Sequence, residues 1–140
     1  MSKLSERLSD PAKSGVYRAS HDRDIRDALS VGGYDLAIVV LAAGKDAMLE
    51  SIATALAFPD WFGGNWDALE DCLTDLSWRK EGPHVFLFAE AVQDDDLGIL
   101  LDVLSSAAEF WRERGRVFFA VFIDPRIRLT LPALYKEKAA

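Results

Sequence analysis

The sequence predicts an α/β fold: a small parallel β-sheet of three strands, a fourth candidate strand at its edge, and helices packed on it. Two observations carry this. Leu36 to Leu41, Val85 to Phe88 and Val117 to Ile123 are apolar runs without polar alternation, the pattern of strands covered on both faces. Between them lie stretches of helical periodicity, and strands that alternate with helices form right-handed crossover units. The 140 residues, half of them apolar, suffice for one domain whose core needs no metal or disulfide.

In chain order, residues 1–13 read as a flexible N-terminus. Gly15 to Arg18 is the candidate edge strand, and His21 to Leu29 a polar helix ending at Gly32-Gly33. The first core strand leads to a helix with Asp46 as N-cap. Its Met48, Leu49, Ile52 and Leu56 share one face, and Pro59 stops it. A second helix begins after Asn65. Past the middle strand, Asp94-Asp95-Asp96 reads as a loop leading into a helix from about Asp95 to Arg114. It lacks the spaced ligands and glycine of a calcium loop. That helix aligns Leu97, Leu100, Leu101, Leu104, Ala108 and Trp111. Arg112 and Arg114 complement its C-terminal dipole, and Gly115 ends it. Residues 125–140 read as a tail, leaving 14–124 as a single domain without internal repeats.

The formal net charge is −7, from 23 acids and 16 bases. Seven of the acids (Asp46, Glu50, Asp60, Asp67, Glu70, Asp71 and Asp75) fall between Asp46 and Trp78, where there is no Lys, Arg or His. The rest of the chain is balanced. A one-signed patch concentrates cationic partners and repels nucleic acid; it also serves plain solubility. No apolar run approaches the ~18 residues that a membrane span needs. Met1 to Pro11 lacks the apolar core of a secretory signal. Cys72, the single cysteine, cannot form an internal disulfide. A cytoplasmic protein is expected, without cofactor, metal or membrane contact.

The informative stretch runs from Phe58 to Leu76. Pro59 and Gly63-Gly64 make its first half a loop, and Asn65 is a good helix N-cap. On the helix that follows, Trp66, Leu69, Cys72, Leu73 and Leu76 fall on one side, and Asp67, Glu70, Asp71, Thr74 and Asp75 on the other. Asp67/Asp71 and Asp71/Asp75 are like charges at four-residue spacing, costing roughly 0.2–0.5 kcal/mol each. No base relieves them. A local rule broken without compensation marks a place to look for function. Trp61 and Phe62 in the loop are candidate aromatic anchors beside the charge.

The run Pro59-Asp60-Trp61-Phe62-Gly63-Gly64-Asn65-Trp66-Asp67-Ala68-Leu69-Glu70-Asp71-Cys72-Leu73-Thr74 resembles the signature of the barstar family. That signature is proline, acid, two aromatics, glycine, any residue, asparagine, an apolar residue, then Asp-Ala-Leu-x-Asp-Cys-Leu-Thr. The likeness is strong over 58–78 and topological over the rest of 35–123. It implies a barstar-like three-layer fold and an inhibitor that plugs the basic active site of a ribonuclease, in some cases as an immunity protein. By the resemblance, Trp61 stacks against the nuclease and Gly63 and Asn65 touch it from the loop. Asp67 is the first interfacial aspartate. Asp71 is the central one, set in the substrate phosphate site, and Thr74 lies on the same rim. Phe62, Glu70 and Asp75 complete the candidate surface. Glu70 stands where barstar has an aromatic and Asp75 where it has glycine, so this surface is more acidic than barstar's own. Barstar also presents an acid from its last long helix, for which Glu109 is the candidate.

Other readings of the same residues stand beside this one. An acidic interaction module on the same scaffold would bind a different basic protein. A hydrolase would need Asp67 and Asp71 as an acid/base pair, with their acidities driven apart by burial. Cys72 reads as a buried small hydrophobe rather than a nucleophile. His84 reads as structural, and His21 is isolated. Trp66, Trp78 and Trp111 read as packing residues, Trp78 also bordering the candidate surface. Oligomeric state is left open.

Overall fold

A computed structural model of the chain describes residues 3–89 and 94–137. Strands β1 (Gly15–Ala19), β2 (Asp35–Val39), β3 (His84–Phe88) and β4 (Phe118–Ile123) form one sheet in the order β1-β4-β3-β2. Every pairing is parallel. The candidate edge strand is thus the fourth strand, beside β4. All five residues of β3 and five of the six in β4 are buried, which explains why their sequences do not alternate: both faces are covered.

Helices α3 (Lys45–Ala55), α4 (Trp66–Leu73) and α5 (Leu97–Glu113) cover one face. Met48, Ile52, Leu69, Leu73, Leu100 and Leu104 there enclose Val39, Phe86, Phe88, Phe118 and Phe122. Phe88 lies flat on Phe122 with centroids 4.5 Å apart, while Phe86 meets Phe118 edge-on at 5.5 Å. Helices α1 (Lys3–Leu8) and α2 (Arg23–Leu29) cover the other face, where Leu4, Leu8, Ile25 and Leu29 pack on Val85, Leu87, Phe119 and Val121. Helices, sheet and helices make three layers.

Several boundaries differ from the sequence reading. The N-cap of α3 is Gly44, at φ +95°, and Asp46 sits in the first turn. The Asp94 carboxylate accepts the Gly44 N–H at 2.8 Å and the Asp96 N–H at 2.8 Å. Those two backbone bonds, from Asp96 first and Gly44 second, hold its pKa below the ordinary carboxylate range. The loop thus ties the start of α3 to the start of α5, a link between distant segments that local spacing cannot reveal. Helix α5 begins at Leu97 and ends at Glu113, two residues inside the expected start and one inside the expected end.

Over their described residues both ends pack on the domain, where the sequence reading has a flexible N-terminus and a tail. Leu4 and Leu8 are buried, as are Leu129 and Leu134. The C-terminal segment returns along β1: the Arg18 N–H donates to the Pro132 carbonyl and the Leu134 N–H to the Arg18 carbonyl, each at 2.9 Å. Asp124 accepts the N–H groups of Arg128 and Leu129, at 3.0 and 2.8 Å. The Ser20 N–H donates to Glu137 at 2.6 Å. Leu4, Leu8 and Leu134 close the second core and Leu129 joins the first, because a sheet face must be covered over its whole width. Residues 1, 2 and 138–140 of the two ends lie outside the described residues.

Candidate functional site

The surface singled out by the sequence is assembled by the end of α3, the loop 57–65 and α4. Ala57 takes a left-handed φ of +53° and Gly64 one of +71°, so the chain reverses out of α3 and again into α4. The Asn65 side chain accepts the Ala68 N–H at 2.7 Å and caps α4. Leu69, Cys72 and Leu73 are buried against the core and Trp66 is half-buried. Trp111 donates its indole N–H to the Leu73 carbonyl at 2.8 Å, fixing the other end of α4 on α5.

The helix is shorter than its periodicity suggests. It ends at Leu73 with Thr74 as C-cap, and the Asp75 and Leu76 N–H groups both turn back to the Cys72 carbonyl, at 3.2 and 3.1 Å. Leu76 is buried at φ +54°. Asp75 therefore projects from the turn after α4 rather than from the helix.

Asp67, Glu70, Asp71 and Asp75 are all exposed. Ion pairs among the described residues join Arg26 to Asp22, Arg79 and His84 to Asp35, and Arg112 to Glu109. None engages these four carboxylates, and no hydrogen bond reaches them among the described residues. The Thr74 hydroxyl is turned back to the Glu70 carbonyl at 2.8 Å. Trp61 is 57% exposed, with its ring at 6.1 Å and edge-on to Trp78. Trp78 meets Phe58 at 5.7 Å, and Phe58 meets Phe62 at 4.9 Å. Phe62 differs from the reading of an exposed anchor: it is half-buried and packs against the core. Gly63 and Asn65 are exposed beside Trp61. Glu109 is exposed on α5, where Arg112 of the same helix comes within 3.8 Å.

Asp67 and Asp71 share a solvent-facing helix surface, without the burial that separates the acidities of an acid/base pair. The Cys72 thiol is pushed up to about 11 by burial, with the charges of Asp71 and Asp75 adding to it, so it stays protonated and unreactive at neutral pH. Among the described residues no three His, Cys, Asp or Glu side chains converge as a metal site requires. No helix among them is long and apolar enough to cross a membrane.

Beneath the loop lies a charged cluster that the sequence did not disclose. The Arg79 guanidinium forks onto the buried Asp35 carboxylate at 2.8 and 2.9 Å, and His84 Nδ1 approaches the same carboxylate at 2.7 Å. Burial raises the Asp35 carboxyl, but hydrogen bonds from His84 and Arg79, and their charges, outweigh it and hold the group below its ordinary value. The partners stand 44 and 49 residues from Asp35 in sequence, so no spacing signal was available. Only the structural role of His84 was legible.

A search of curated proteins finds no match. The family model described as barstar (barnase inhibitor) matches residues 39–123. That range runs from the last residue of β2 to the end of β4 and contains the loop and α4. A match over more than half of the chain, on a parallel sheet with helices on both faces, shows that this protein belongs to the barstar family.

Proposed function

We propose that the protein is a stoichiometric inhibitor that binds a ribonuclease and blocks its basic active site with the surface formed by residues 61–75. It would act in the cytoplasm, as an immunity protein does, and catalyse nothing itself. The observation that carries this reading is a set of four exposed, unpaired carboxylates on and just after α4, beside an exposed tryptophan.

Carboxylate and phosphate both accept paired hydrogen bonds from a guanidinium fork. Asp71, at the centre of the surface, is placed to stand in for a substrate phosphate that cannot be cleaved. Asp67, Glu70 and Asp75 around it supply the field that draws in a cationic cleft. Trp61 offers the apolar contact that charge alone does not. Trp111 and Asn65 fix both ends of the helix, which limits the ordering cost of binding.

The test is a titration of barnase and of other basic secreted ribonucleases with the protein, following RNA cleavage. Cleavage is expected to fall linearly and stop at one inhibitor per enzyme. Capture of a ribonuclease that still cleaves RNA would favour an acidic module docking away from the active site. Absence of both binding and inhibition across the panel would contradict the proposal.

A further inference from the structure

The loop bearing Trp61 leaves α3 at Leu56, and two side chains from beyond α4 hold the Leu56 carbonyl. Trp78 donates its indole N–H to it at 2.9 Å, and Arg79 an Nη1–H at 3.0 Å. Carbonyls at a helix C-terminus lack intrahelical donors and attract cations. The same guanidinium directs its Nε and Nη2 to Asp35, which is also bonded to His84. Asp35 and His84 are register partners at the start of β2 and β3. Arg79 therefore joins the sheet to the point at which the loop begins. Trp78, its neighbour, sets its ring edge-on to Phe58 and Trp61.

A buried ion network contributes little net stability compared with apolar packing of similar volume. What it does supply is a single geometry. We propose that Arg79 is a positioning residue for the docking surface: it clamps the origin of loop 57–65 to the sheet and, with Trp78, holds Trp61 ready before any partner arrives. Its bearing on binding rests on the inhibitor reading above. Lysine could not replace it. One ammonium cannot form a fork on Asp35 and also reach Leu56, whereas the planar guanidinium does both.

Amide hydrogen exchange of the free full-length chain tests this in wild type, Arg79→Lys and Trp78→Phe, alongside titration of each against barnase. The reporters are the Phe58 and Phe62 amides, bonded to the Ala53 and Pro59 carbonyls. Arg79→Lys is expected to speed their exchange about ten-fold, with β3 and β4 at wild-type rates. Trp78→Phe, which keeps a ring and loses one of the two bonds to Leu56, is expected to give a smaller rise. Barnase affinity should fall in the same order. Unchanged loop exchange would overturn the proposal. So would an equal rise in β3 and β4, which would mean general loss of stability, or faster loop exchange with wild-type affinity. Failure of the inhibitor reading looks different: wild type would leave barnase active, and the exchange pattern would then decide the positioning role alone.

Discussion

Each carboxylate on α4 stands beside others of its sign, and the thiol behind them registers the field. Burial raises the Cys72 pKa most, and the charges of Asp71 and Asp75 raise it further. Cys72 should therefore resist alkylation by iodoacetamide at about pH 8 in the native protein and react readily in urea. A native thiol that reacts at the unfolded rate would contradict the packing described for α4. Cys72 was legible at this scale because its apolar neighbours recur at helical spacing within a few residues. Phe62 was not. Its direction depends on Phe58 and Trp78, and Trp78 arrives only after an intervening helix.

Helix α4 shows what local sequence encodes about an element and where it stops. Its start is written in one residue: Asn65 takes extended backbone and accepts the Ala68 N–H. Replacing it in Asn65→Ala should lower stability by about 1 kcal/mol, read from the urea midpoint at unchanged slope. A midpoint equal to wild type would show that the cap is idle. The sequence reading carries α4 three residues too far. The periodicity continues to Leu76, but the chain leaves the helix at Thr74 and keeps Leu76 buried through a left-handed turn. At α3 the opposite happened: the strong local cap candidate, Asp46, is one turn residue, and the helix starts where Asp94 holds Gly44.

For the molecule as a whole, the non-alternating apolar runs disclosed the parallel sheet, and the order of helices between them disclosed its layers. The packing of the ends was not legible locally, because Leu4, Leu8 and Leu134 find their partners only on the second face of the sheet and Leu129 only on the first. The Asp35–Arg79–His84 cluster escaped for the same reason, since it exists only once β2 and β3 are side by side. It also links folding to pH. The Asp35 pKa in the folded state lies below its unfolded value near 3.8. Its contribution to stability is therefore complete above that value and is lost as pH falls through the lower, folded one. Asp35→Asn should cost about 3 kcal/mol at neutral pH, because it leaves the half-buried Arg79 without its counter-charge. The gap between variant and wild type, followed by urea unfolding, should narrow on acidification below about pH 4. A gap independent of pH would mean that the Asp35 charge is not what holds the cluster.

At the same scale, the concentration of the net charge in one quarter of the chain means that approach to a partner and grip on it should be separable. The most direct test is to compare wild type with Asp71→Asn, a variant of equal size without the charge, against a ribonuclease that wild type inhibits, at low and high salt. The account predicts binding weaker by about 2–5 kcal/mol for Asp71→Asn, with unaltered stability, and wild-type association that slows steeply with salt while dissociation changes little. Equal inhibition by the two proteins, or association indifferent to salt, would contradict it.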